Sequence, residues 1–380
     1  MVKERLYFLD NLKVMLTLLV VVHHVGQPYG GSNGFWYFIS EKQTDLGRFF
    51  SINAGFFMSL FFLISAYFLP GSFRKKGVKP FLRDRFIRLG IPLLFGFLVI
   101  MPLLMYFYYL NFRDYESISF LHYYSSVYFG LGGQPEKWSG PVFPDMQFGH
   151  LWFVEHLLVY AILYALISKL TKRESEVKYL SRLTNGKLVL IALMISAITY
   201  TVRIQYGIDH WEGLLGFIQV EYAHLPQYAS FFLLGILAFK YNWFERLDKK
   251  AGAVWLTIGI CLAALRYFTN AVPWSPGGTG VSSAVYSLYE TFLCFGLGFG
   301  LIYLFKRVWN KTNSFLKLLA DNSFGVYIFH LPIAVIIQYS FARTAITPFL
   351  KFLAVSVLTI AAAYLFSMLI RKIPVVRGII

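Results

Sequence analysis

Charge is what this sequence has least of. Only 14% of its 380 residues are Asp, Glu, Lys or Arg, against roughly a quarter in soluble domains. Too few ionic side chains remain to clothe a water-facing surface, which excludes a soluble globular protein. Cysteine is nearly missing as well. Cys261 and Cys294 each stand within an apolar run, leaving no material for a disulfide framework or a thiolate metal cluster. Acidic residues are short relative to basic ones, 19 against 35, for a net charge of +16. In a soluble chain that excess would suggest nucleic acid. Here no nucleic-acid partner is needed, because loops on one face of a membrane collect Lys and Arg. Low-complexity tails and a transporter-type internal repeat are also missing.

What the chain does have is length in apolar runs: 57% of residues are hydrophobic and 19% aromatic, with a mean hydropathy of +0.57. Runs long enough to cross about 30 Å of hydrocarbon lie at approximately 9–27, 49–69, 89–110, 149–168, 188–206, 223–240, 251–268, 284–305, 323–341 and 348–370. Pro226 and Pro332 interrupt the sixth and ninth. The expected fold is an all-α, polytopic integral membrane bundle of about ten transmembrane helices. A single membrane domain over residues 1–380 is expected, with no appended soluble domain. With the N-terminus inside, 27 of the 35 basic residues fall on the inner side. Acidic residues divide evenly, eight to each side, with Glu155, Glu221 and Glu290 in or beside spans. That asymmetry predicts that both termini are cytoplasmic. Met1–Leu19 has the outline of a signal peptide. However, Asp10, Asn11 and Lys13 enter the run early, and no small-x-small cleavage motif precedes His23 and His24, so a retained first helix is expected. The segment 111–148 is the one large outer loop. Its Gly132, Gly133, Pro135, Gly140, Pro141 and Pro144 predict irregular structure over the membrane mouth.

Ionisable groups inside spans are expensive and therefore functional candidates. On the first helix, Lys13 and His24 are eleven residues apart and lie within about 20° of one face, and Asp10 lies within about 40° of it. His23 points roughly 100° away. His24 falls about 16 Å beyond Lys13 along the axis, around mid-membrane or slightly outward. Either this stripe is chemical, or Lys13 reaches to the interface and the histidines bond neighbouring helices. Arg85 and Arg88 share a face at the inner start of the third span. They suit a phosphate or pyrophosphate, and arginines there are also ordinary topology signals. His150, Glu155 and His156 open the fourth span from outside. His330 would sit mid-bilayer just before Pro332, which frees a backbone carbonyl, and reads first as a packing group. His23 and His24 diverge and no His/Asp/Glu trio shares a helix face, so no metal site is expected.

These pieces occur in an order that resembles membrane acyltransferase family three. Arg5 through His24 resembles the family's opening, an Arg-x-x-x-x-Asp stretch, then a basic residue, ten residues and a catalytic histidine. Phe61-Phe62-Leu63-Ile64-Ser65-Ala66 is similar to its second helix, Arg85-Phe86-Ile87-Arg88 to its Arg-x-x-Arg motif, and Leu151-Trp152-Phe153 to its fourth helix. Ser323 through Ile333 resembles its S-F-G-[IV]-Y-x-x-H-x-P segment. Lys13 stands where Arg is usual and Ala66 where Gly is usual. Many members place a Glu slightly further along the fourth helix than Glu155.

The resemblance implies transfer of an acyl group, acetyl first and succinyl second, from cytoplasmic acyl-CoA to a hydroxyl of an exported or lipid-linked carbohydrate. By the same resemblance His24 is the general base or transient acyl carrier. Asp10 and Glu155 are the accompanying catalytic candidates, Asp10 by orienting Lys13 or Arg5. Lys13, Arg85 and Arg88 would bind the donor. His150 and His330 are acceptor-binding or structural. Acyl-CoA (acetyl-CoA) would be a co-substrate, with no bound cofactor. The setting would be the plasma membrane, the inner membrane of a bacterium, and the oligomeric state stays open. A polytopic transporter or exporter without covalent chemistry is the rival expectation, since buried His and Glu and a broken helix also serve proton coupling.

Overall fold

The computed structural model describes residues 5–31, 36–111, 115–138, 148–171 and 183–380. Among the described residues, nine helices are long and apolar enough to cross a membrane. They are α1 (Tyr7–Gly30), α2 (Gly47–Lys76), α3 (Val78–Asn111), α4 (Gly149–Leu170) and α5 (Asn185–Gln205), then α7 (Lys249–Phe268), α8 (Val281–Val308), α9 (Ser314–Ser340) and α10 (Pro348–Ile370). The expected sixth span is the shorter helix α6 (Leu225–Lys240). Its sixteen residues rise only about 24 Å. A small hairpin, β1 (Trp211–Leu214) and β2 (Ile218–Glu221), precedes it, with Trp211 opposite Glu221 and Leu214 opposite Ile218. With α6, ten apolar helices make up the bundle among the described residues.

The described start of the chain at Arg5 and its end at Ile380 lie at one end, here called the near end. Asn11 on α1 donates to the Trp309 and Lys311 carbonyls beyond α8, at 2.7 and 3.0 Å, and Arg371 after α10 bonds the Asp321 carbonyl on α9. The opposite, far end holds the hairpin and the finish of α1.

In hydrocarbon every backbone polar group needs a partner, and the breaks in these helices show how each is met. α2 is interrupted at Gly55, and the Gly55 carbonyl accepts from Gln227 on α6 at 2.9 Å. Pro102 has no N–H for the Leu98 carbonyl in α3, and the wide turn over Gly96–Ile100, in which the Met101 N–H reaches Gly96, passes over that of Phe97. These carbonyls accept from Tyr124 at 3.0 Å and Tyr128 at 2.7 Å. These tyrosines belong to a helical stretch, Phe120–His122 continued by Tyr123–Tyr128. The expectation of irregular structure across 111–148 is corrected there, because aromatic side chains dock the segment onto α3. Gly132, Gly133 and Pro135 are irregular as expected, and Gly140, Pro141 and Pro144 lie outside the described residues.

Packing follows small residues. A methyl at Gly296 would lie 2.6 Å from the Gly259 backbone, and one at Gly300 2.5 Å from Leu256. The α7–α8 crossing is therefore a close backbone approach of the kind that stabilises helices in lipid. Side chains cap four of the spanning helices at their starts: Thr184 for α5, Asp248 for α7, Asn313 for α9 and Thr347 for α10. Helix α1 packs against α8, α9 and α10. This central placement buries its Leu9, Leu12, Leu16, Val20 and Val21 and brings His24 beside α9.

Candidate active site

A cavity of about 440 Å³ runs from the middle of the bundle to the far end, with His24, His150, Tyr327, Glu221, His224 and Glu290 among its lining. His24 and His150 line its floor, and a third imidazole, His330, lies buried behind them. The structure gives each an orientation by which carbonyls it faces.

His330 on α9 is fully buried. Its Nδ1 lies 2.8 Å from the Tyr327 carbonyl and 3.2 Å from that of Val326. A carbonyl can only accept, so this nitrogen carries the proton and Nε2 of the neutral ring is bare. Nε2 of His330 is 3.0 Å from Nδ1 of His24. His24 therefore donates through Nδ1, and its own Nε2 is left with a free lone pair. Trp36 stacks near the His24 ring, centroids 6.3 Å apart, and donates to Gln338 at 3.1 Å. Gln338 is itself held by the Val25 carbonyl.

The same logic settles His150. Pro332 has no N–H and frees the Ile328 carbonyl one turn earlier. Nε2 of His150 donates to that carbonyl at 3.0 Å, leaving Nδ1 bare, and Nδ1 has no partner among the described residues. Tyr327 bonds the His150 carbonyl. Gly149, at φ 55°, turns the chain into α4 and delivers His150. A side chain there would strike Met101, 2.4 Å from its sulfur. The His150 ring lies 5.2 Å from that of His330 and 6.3 Å from that of His24. Two ring nitrogens are thus left bare, His24 Nε2 and His150 Nδ1, the second sealed from solvent.

Towards the far end stands a charged network. His224 bonds Glu221 through Nδ1 at 2.7 Å and Glu290 through Nε2 at 3.1 Å. Arg203 on α5 bonds the other oxygen of Glu290. Both imidazole nitrogens face carboxylates, which requires imidazolium. Burial opposes that charge at His224, but Glu221 and Glu290 outweigh it and push its pKa up to about 10.

The structure brings some expected site residues together and separates others. His24, His150 and His330 converge. Asp10 lies about 21 Å along α1 from His24, where it pairs with Arg5 at 2.7 Å and Lys13 at 2.9 Å, so it does not touch the cavity floor. Glu155 is outside the cavity lining. Its Oε2 accepts the Gln219 N–H at 3.0 Å, while His156 bonds the Gln219 carbonyl at 2.9 Å. Together they anchor strand β2. Lys13 rests over the Phe68 ring, 5.4 Å away, and Arg85 donates to Ser72 at 3.1 Å, one turn further along α2. Asp84 lies 3.6 Å from Arg85 and 3.4 Å from Arg88. These basic residues form one patch at the near end.

Sequence reasoning missed His224 and Arg203. The signal that could have found them was the placing of Glu221 and Glu290 in or beside spans, since a buried carboxylate implies a partner. His23 also lines the cavity, with Phe50 and Phe57 at 4.7 and 5.1 Å. Among the described residues no group of three or more His, Cys, Asp or Glu is arranged to hold a metal ion.

With this geometry in place, comparison with known proteins is informative. Residues 6–368 match the acyltransferase domain family. Glucans biosynthesis protein C of Escherichia coli K12 is 24% identical over 396 aligned residues, covering 98% of this chain and 94% of that protein. Its namesake in Escherichia coli O9:H4 strain HS shows the same identity and coverage. The match takes in α1 and α9, which carry the paired imidazoles, and selects an acyl-transferring enzyme over the transporter alternative. The chain belongs to the acyltransferase domain family.

Proposed function

We propose that this enzyme moves an acyl group from cytoplasmic acyl-CoA to a hydroxyl of an exported or lipid-linked carbohydrate, with His24 as the base. The observation that carries this reading is the free Nε2 of His24 at a cavity that opens at the far end, its Nδ1 being engaged by His330. His24 Nε2 takes the proton from the acceptor hydroxyl as its oxygen bonds the thioester carbonyl carbon. The carbon–sulfur bond then breaks, and the departing thiolate receives the proton back from His24. The products are an ester and free CoA. Carbohydrate as acceptor is supported by the relatives' role in glucan biosynthesis. Acetyl and succinyl are the donors to test first.

The bias of basic residues supports a cytoplasmic near end, in the inner membrane of a bacterium. Lys13, Arg85 and Arg88 there suit the phosphates of CoA. A thioester held from that end must reach about 16 Å past Lys13 to meet His24, a span suited to a long flexible arm.

The test is transfer of labelled acetyl or succinyl from CoA by purified protein in lipid nanodiscs. His24→Ala is expected to lose at least 10²-fold in kcat, the lower range for general base catalysis, while His23→Ala keeps measurable transfer. Undiminished transfer by His24→Ala would overturn the assignment.

A further inference from the structure

We propose that a basic groove at the near end, between the start of α9 and the end of α10, is a binding site for the phosphate headgroup of an anionic phospholipid. It shares no residue with the cavity around His24 and does not depend on the chemistry there.

The groove follows from how the two helices meet. A side chain at Gly325 of α9 would collide with Ser367 of α10, and Ser367 donates to the Asn322 side chain at 2.9 Å. One turn further along the chain Arg371 donates to the Asp321 carbonyl. Beside these contacts lies a groove of about 530 Å³, with Lys317 of α9 on one side and Arg371, Lys372 and Arg377 after α10 on the other. The single helical turn Pro374–Arg377 carries Arg377 back to it.

Four cations line this space against one carboxylate side chain, Asp321. That carboxylate already meets Arg5 at 3.6 Å. The side chains of Lys317, Lys372 and Arg377 make no hydrogen bond or ion pair among the described residues, and Arg371 gives one nitrogen to a carbonyl, which leaves its charge uncancelled. A basic residue that only orients the chain in a membrane needs no particular neighbours. Here four like charges from two helices gather round one hollow, an arrangement that costs repulsion until an anion lies among them.

The rim identifies the anion as part of a lipid. Leu369 on α10 is 58% exposed and Val375 74%, and Phe315 and Leu318 on α9 are exposed as well. Clustered Lys and Arg beside lipid-facing apolar side chains at a helix end fit a headgroup whose acyl chains lie along α9 and α10. A free phosphate would meet the charges and leave the apolar rim uncovered.

The test is native mass spectrometry of the full chain in a neutral detergent, titrated with phosphatidylglycerol or with phosphatidylcholine of the same acyl chains. One phosphatidylglycerol adduct is expected to saturate at a concentration at least about tenfold below that needed for phosphatidylcholine. Lys317→Gln, Lys372→Gln and Arg377→Gln should each weaken it about fivefold, the usual contribution of one basic residue close to anionic lipid. Lys250→Gln, at an exposed lysine near the start of α7 at the same end, should leave it unchanged. Equal retention of the two lipids overturns the proposal. So does a loss in Lys250→Gln as large as in the groove variants, which would make the attraction a diffuse one. Glycerol 3-phosphate displacing phosphatidylglycerol at equal concentration removes the lipid and leaves a free-phosphate site. Groove variants that raise the KM for acyl-CoA and leave lipid retention unchanged assign the groove to the donor instead.

Discussion

The near and far ends of this bundle use the same side chains in opposite ways. At the near end Arg5, Asp10, Lys13, Asp84, Arg85 and Arg88 form ion pairs at 2.7 to 3.6 Å, with Arg88 60% exposed. Water and salt screen such pairs, and each contributes at most about 1 kcal/mol. Towards the far end Arg203, His224, Glu221 and Glu290 are nearly sealed from solvent. No screening reaches them, so every charge depends on its partner. Charge at the near end is available to an incoming ligand, whereas charge behind the cavity is committed to holding β2, α5, α6 and α8 in place.

The sharpest break in that comparison is Arg203→Met. It leaves Glu221 and Glu290 to share the single positive charge of His224 in a buried site and is expected to destabilise the protein by about 3–5 kcal/mol, read as a large fall in the thermal midpoint in detergent. Glu290→Gln in the same chain should recover part of the loss, because one of the two negative charges is then gone. A midpoint for Arg203→Met like that of Arg88→Ala would mean that the two ends do not differ.

Next in size is His330→Ala, a positioning change rather than a loss of a group that touches substrate. Without the acceptor at Nε2, His24 Nδ1–H is unheld and the tautomer that frees its outer nitrogen is no longer fixed. A fall in kcat of about 10²-fold is expected, within the range for acid–base function, with KM for both substrates little changed. His330→Gln can present an oxygen to the same N–H and should restore much of kcat. A purely structural role would instead lower the yield and midpoint of both variants together and leave kcat per folded molecule alone.

What the sequence made legible follows from these two environments. Spans were readable because hydrocarbon demands long apolar runs, and the basic excess sorted cleanly because interfacial charges need no partner. The depth of His24 on α1 was readable from its spacing to Lys13, and the carbonyl freed by Pro332 from the chemistry of proline. The use of that carbonyl was not, since the donor, His150, lies 178 residues away in the chain. Arg203 likewise sits near the end of an apolar run like any interfacial arginine, and only the fold carries Glu290 to it. The hairpin was hidden for a related reason. Four-residue strands give too short an alternation to register, and β2 is held by Glu155 and His156 on another element.

Glu155 tests whether a buried carboxylate beside the site is chemistry or scaffold. The single hydrogen bond to the Gln219 N–H makes it scaffold. Glu155→Gln keeps an oxygen for that N–H and should leave kcat within about threefold, whereas Glu155→Ala leaves the buried N–H unsatisfied and should cost about 1–3 kcal/mol of stability. A loss of about 10²-fold in kcat for Glu155→Gln, with the midpoint unchanged, would return this residue to the reacting groups.

The smallest effect is expected at the near end, and its salt dependence is what makes it useful. Arg88→Ala removes one exposed partner of Asp84 and should shift the thermal midpoint little. If the near-end patch meets the phosphates of CoA, the same variant raises KM for the donor several-fold at low ionic strength. That difference shrinks as salt approaches 1 M, where the screening length falls to about 3 Å, and kcat holds. Arg85→Ala should show the larger shift of the two, because Arg85 is less exposed and its Nε is unpartnered. A donor KM indifferent to both substitutions and to salt would leave these arginines as membrane-orienting residues only.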